Sequence, residues 1–184
     1  MSMEIERKFL LKELPKELEE SGKLLAHMIV DQSYINNTPE VRIRRNKILF
    51  ADPHPGDREP IYPISGDGYN YLMAVKSSGT LTRTEVEFSI DREVYFDLQA
   101  MVGIKPIIKN YYRYWFNDMV HEVSIVDDGL DTGFIYFEIE FASEEEARAY
   151  ICPFDGAIDV TEDSSYKMKN YWKKTRLASE NKDK

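Results

Sequence analysis

The chain has 184 residues, of which 33 are acidic and 24 basic, for a formal net charge of −9, with 42 % hydrophobic and 12 % aromatic content. That length fits one domain and that apolar content can build a core, which excludes a disordered chain. The single cysteine, Cys152, excludes an intrachain disulfide and a cysteine-built zinc site, and the acidic balance argues against a general nucleic-acid binder.

In chain order, Met3–Leu10 reads as the first strand, and Glu4, Glu6 and Lys8 share one of its faces while Ile5, Arg7 and Phe9 take the other. A helix is expected over Pro15–Lys23, then strands over His27–Ile35, Glu40–Arg45 and Lys47–Phe50. Asp52–Gly68, rich in Pro and Gly, reads as a long loop. Strands are expected at Tyr69–Ser77 and Thr80–Ile90, a helix at Asp91–Val102, and strands at Ile107–Phe116 and Met119–Asp127 joined by an Asn117-Asp118 turn. Phe134–Phe141 is the last strand expected. Ser143-x-x-Glu146 is a capping box that opens a short helix to about Ile151, and Asp163–Leu177 reads as one amphipathic C-terminal helix. A single domain over residues 1–178 with a polar tail at 179–184 follows. No basic N-terminal region precedes an apolar stretch and no eighteen apolar residues run together, so a cytoplasmic protein with no membrane partner is expected.

The charges keep one phase through these strands. Arg42 aligns with Arg44, Arg83 with Glu85 and Glu87, Lys109 with Tyr111 and Arg113, Glu122 with Ser124, and Glu138 with Glu140, while Lys76 stands opposite Met73 and Val75. An open antiparallel sheet with one wetted face would account for any single strand. Seven acids against seven bases, repeated across nearly every strand, fit a different arrangement: a mainly β (α+β) fold in which about eight antiparallel strands close into a tunnel, charges inward and helices outside. Charges enclosed in this way must be paired or must hold a ligand. Equal numbers balance one another, and two divalent cations would then match a highly charged anion such as a triphosphate.

The set Glu4-Ile5-Glu6-Arg7-Lys8, Gln32-Ser33-Tyr34, Val41-Arg42-Ile43-Arg44, Lys76, Thr82-Arg83-Thr84-Glu85-Val86-Glu87, Glu138-Ile139-Glu140 and Tyr166 resembles, in order and over about Met3 to Trp172, the CYTH or triphosphate tunnel metalloenzyme family. The first strand is most similar to the bacterial inorganic tripolyphosphatase-like members. The resemblance implies an eight-stranded antiparallel tunnel that hydrolyses a triphosphate with Mg²⁺ or Mn²⁺. It implies metal at Glu4, Glu6, Glu122, Glu138 and Glu140, and phosphate at Lys8, Arg42, Arg44, Lys76, Arg83, Lys109 and Arg113. Glu85 and Glu87 would support those bases, and Tyr34 with Lys109, together with Lys8, would act in catalysis. Lys167 or Lys169 of a C-terminal plug would lie near the substrate. A small-molecule triphosphate is the expected partner and a homodimer is compatible with the sequence. Other activities implied by the family are a class IV-type adenylate cyclase and a nucleoside or thiamine triphosphatase; a non-catalytic polyphosphate or nucleotide binder is a further alternative. Three departures stand out: Ser124 where the family usually has Asp, one pleat more between Lys109 and Arg113, and the long 52–68 loop.

Overall fold

The computed structural model describes residues 2–52, 54–55 and 62–178; the polar tail at 179–184 and part of the 52–68 loop lie outside them. Nine strands form one sheet: β1 (Ser2–Leu11), β2 (Lys23–Asn37), β3 (Glu40–Ala51), β4 (Tyr69–Lys76), β5 (Thr82–Ser89), β6 (Ile107–Phe116), β7 (Met119–Val126), β8 (Phe134–Glu140) and β9 (Ile158–Asp159). Their order is β5-β4-β3-β2-β6-β7-β8-β1-β9, and β1 also pairs with β5, so the first eight strands close into an antiparallel barrel. One strand achieves the closure by splitting its pairing. Residues 6–11 of β1 pair with β8, residues 2–5 with β5, and Phe9 and Leu10 additionally with the two residues of β9.

Three expectations on element bounds change. Glu40–Arg45 and Lys47–Phe50 are one strand, because Asn46 sits inside the ladder on both sides, opposite Val30 and Asn70, and that pairing overrides the poor strand preference of Asn. β2 begins at Lys23, so the preceding helix is only α1 (Lys16–Ser21). The expected C-terminal helix is broken into a 3₁₀ turn (Ser164–Tyr166), helix α4 (Met168–Trp172) and a π-helical turn (Lys173–Leu177). Asp163 caps the first piece through Ser165 N at 2.9 Å, a local bond that competes with helix continuation, and Lys167 is extended at φ −69°, ψ 130°. The capping box is present: Ser143 Oγ accepts from Glu146 N at 3.1 Å at the start of α3 (Glu144–Ala149), and Asn117 and Asp118 turn the β6–β7 hairpin with φ of 51° and 59°.

Outward-facing apolar residues pack under the helices. Phe9, Val123, Phe137 and Ile139 bury Leu18 of α1 and Phe154, with Phe9 and Phe137 stacked at 4.9 Å. Ile43 and Tyr71 bury Tyr95 of α2 (Arg92–Val102), and Ile5 and Leu81 bury Ala147 of α3. A further cluster sits on the inner face. Tyr34, Ile107, Val126 and Tyr136 have the phase of the lumen charges, and Met168, Tyr171 and Trp172 pack onto them, so the C-terminal segment plugs one end of the barrel. No described helix is long and apolar enough to cross a membrane.

Candidate active site

The lumen holds a cavity of about 370 Å³. Every charged position singled out by strand alternation lines it except Arg113, which faces a second cavity at the rim beside Trp115 and pairs with Glu122 at 3.2 Å. Among the described residues Glu40, Asp163 and Lys167 join the lining, so nine acids face seven bases there and the expected parity does not hold. Glu40 escaped the sequence reading although it is in phase with Arg42 and Arg44. Tyr136 likewise precedes Glu138 by one pleat.

The lining is a connected ion-pair network. Lys76, 2 % exposed, joins Glu4 at 3.0 Å and Glu85 at 2.9 Å. Arg83 reaches Glu4 and Glu6, each at 2.6 Å. Arg42 donates to Glu85 at 3.2 Å, Arg44 donates to Glu87, and Lys8 pairs with Glu138 at 2.8 Å. From the plug, Lys8 Nζ donates to Tyr166 O at 3.3 Å, Lys167 donates to Gly79 O, and Lys169 lies 3.8 Å from Glu40. Among the described residues two buried arginine donors of the lining are left over: neither Arg42 Nε nor Arg44 Nε has a hydrogen-bond partner.

The electrostatics separate the carboxylates. Burial alone would raise Glu4, Glu87 and Glu138. Lys76 and Arg83 outweigh it at Glu4 and hold that carboxyl well below the usual range. Arg44 and Arg42 bring Glu87 to about 2, and Lys8 and Lys109 bring Glu138 to about 2. Glu6 behaves oppositely: burial, then the nearby Glu138 and Glu4 charges, push it up to about 7 despite Arg83. Acids in excess, with one forced towards neutrality, fit a cation. Among the described residues no three carboxylates converge as a ready-made cation site, because the bases engage them.

No family model matches the chain. It is 30 % identical over 171 residues to the inorganic triphosphatase of Nitrosomonas europaea, spanning 90 % of this chain and 94 % of that protein. The chain belongs to the CYTH, or triphosphate tunnel metalloenzyme, family. The crystal structure of the inorganic triphosphatase NE1496 matches with a TM-score of 0.54 at 26 % identity, over 93 % of this chain and 95 % of that one. The PH1819 protein of Pyrococcus horikoshii OT3 shares the fold, with a TM-score of 0.52 at 18 % identity over 79 % and 82 % of the two chains.

Lys109 Nζ, expected beside Tyr34, donates instead to the Tyr136 hydroxyl at 3.0 Å. Tyr34 lines the same cavity, but its hydroxyl accepts from Gln32 Nε2 at 2.7 Å, and it packs on Trp172 of the plug. Burial raises the Tyr34 phenol well above its ordinary value, so it stays a neutral hydrogen-bonding group.

Proposed function

We propose that this CYTH protein hydrolyses inorganic tripolyphosphate to pyrophosphate and phosphate with Mg²⁺ or Mn²⁺. The observation that carries the reading is the pair of buried, unpartnered Nε–H donors of Arg42 and Arg44 in a cavity lined by five further bases. A buried donor left unmade costs about 1–3 kcal/mol, and phosphate oxygens, which arginine forks fit, would satisfy both. The triphosphatase name of the Nitrosomonas europaea relative supports the same activity.

Glu6 and Glu138, with Glu4, Glu140 and Glu122 around them, would hold the cation, and their mutual repulsion at Glu6 is what a cation would relieve. Bound there, a divalent cation supplies charge neutralisation on the phosphates and a more acidic water. The chain's own groups then do the positioning. Arg42 and Arg44 clamp phosphate oxygens, with Glu85 and Glu87 holding the guanidiniums in place. Lys8, Lys76, Arg83 and Lys109 offset charge on the transferred and leaving groups. Tyr34, which lines the same cavity, orients oxygen by hydrogen bonding.

The test is phosphate release from inorganic tripolyphosphate, ATP and thiamine triphosphate with Mg²⁺ or Mn²⁺, with Glu4→Gln as the control. Release that is fastest from tripolyphosphate and lost in the variant is the expected result. No release from any of the three sinks the hydrolase reading.

A further inference from the structure

The strand-borne bases of the tunnel are matched to carboxylates with one exception. Lys8 has Glu138, Lys76 and Arg83 have Glu4, and the two arginines of β3 have Glu85 and Glu87. Among the described residues Lys109, 6 % exposed, has no carboxylate within ion-pair distance, and its ammonium donates to a phenol, Tyr136, at 3.0 Å. Tyr136 stands directly opposite Ser124, its cross-strand partner in the β7–β8 ladder. Its ring also lies under Lys8 Nζ, 4.2 Å from the centroid. So Ser124, at a position where the family pattern carries an acid, places a neutral side chain opposite this phenol instead of a charge.

We propose that Tyr136, opposite Ser124 in the β7–β8 ladder, is a positioning residue that presents Lys109 to the bound phosphate as a lysine with no carboxylate in ion-pair contact. The inference rests on the triphosphatase reading and deepens it at the same site. The physical case is one of competition: a lysine already paired to an acid must share its attraction with an arriving phosphate, whereas one held by a phenol has no contacting carboxylate to give up. Without such a partner a lysine stem has several rotatable bonds and the ammonium loses its aim. A phenol is the neutral acceptor that fixes direction at no electrostatic cost. Burial pulls the Lys109 ammonium well down, only partly offset by Glu138, and an arriving phosphate would favour the charged form again.

A double-mutant cycle read on tripolyphosphate hydrolysis tests it. Tyr136→Phe is expected to lower kcat/KM about tenfold and Lys109→Met about a hundredfold, with the double variant no worse than Lys109→Met. A purely structural Tyr136 would give losses that multiply, and that result overturns the proposal. Ser124→Asp gives a second, independent reading. Placing an acid beside Lys109 should raise the KM for tripolyphosphate about tenfold; unchanged or improved kcat/KM together with tighter Mg²⁺ binding would show position 124 to be a metal position, and would also overturn the proposal. If wild type releases no phosphate, the hydrolase reading fails, and the same cycle is read on tripolyphosphate binding by calorimetry. Non-additive binding losses then still support Tyr136 acting through Lys109, while additive losses, or no binding by wild type, reject it.

Discussion

Glu6 sits where the tunnel's opposing demands meet: it accepts from Arg83 at 2.6 Å yet faces Glu138 and Glu4 in a buried setting. Its carboxyl ionises near 4.5 in the unfolded chain and is pushed up to about 7 in the folded one. Between those values the native state keeps a proton that the unfolded chain has lost, so Glu6's contribution to stability falls as pH rises from about 4.5 through about 7. Glu4, Glu87 and Glu138 have the opposite sign: their contributions, present above the ordinary carboxylate range, are lost as pH falls towards about 2. In metal-free buffer, Glu6→Gln should therefore gain Tm over wild type as pH climbs from 4.5 to about 7, with the gain levelling off above that. Thermal melts across this range check it, and a constant difference would assign Glu6 no titration there. The alternation of Glu4, Glu6 and Lys8 was legible from sequence, but the raised pKa was not. It depends on Glu138, 132 positions away in the chain, lying across the β1–β8 ladder.

At the scale of elements, the C-terminal segment is the least regular part and the one with most to do. Trp172, 1 % exposed, and Met168 fill the apolar end of the lumen, while Tyr171 and Arg176 converge on Asp127 at 2.7 Å each. Trp172→Ala should cost about 3–5 kcal/mol, the usual price for emptying a large aromatic site, and should loosen Tyr34, which packs on it. Chemical denaturation measures the first effect, and a rise in KM for tripolyphosphate reports the second. The β6–β7 hairpin offers a contrast. Asn117 and Asp118 both hold left-handed backbone, as a two-residue turn of this kind demands, and the dipeptide announced this in the sequence. Asp118→Gly should stabilise by a few tenths to about 1 kcal/mol by relieving that conformation, read as a shift in denaturant midpoint with an unchanged slope. The break in the C-terminal helix was not legible, because an apolar stripe at helical spacing looks the same whether the helix is continuous or interrupted at Asp163 and Lys167 by capping.

For the whole molecule, the balance of charge in the lumen is decisive. Among the described residues nine acids against seven bases line the cavity, inside a chain of net charge −9, so a polyanion meets an unfavourable field unless cations accompany it. Mg²⁺ alone should raise the Tm of wild type, and should raise that of Glu6→Gln by less. Tripolyphosphate should stabilise strongly only with Mg²⁺ present. Thermal shift in the four combinations of metal and substrate checks both statements; equal stabilisation by tripolyphosphate with and without Mg²⁺ would contradict the charge argument.

The sequence by itself determined which side chains share a face. Strand alternation is a local rule with a period of two, so the inward phase of Glu4, Arg42, Arg83, Lys109 and Glu138 follows from each segment alone, and closure into a barrel is the way to satisfy so many of them at once. Register, stagger and which ends are covered are not local. They placed Arg113 at the rim rather than in the main cavity, added Glu40 and Lys167 to the lining, and gave Lys109 to Tyr136 rather than to Tyr34. Those outcomes depend on how eight strands slide past one another and on where the last turn of chain packs, and only the tertiary structure decides them, because pairing between distant segments carries no signature within either segment.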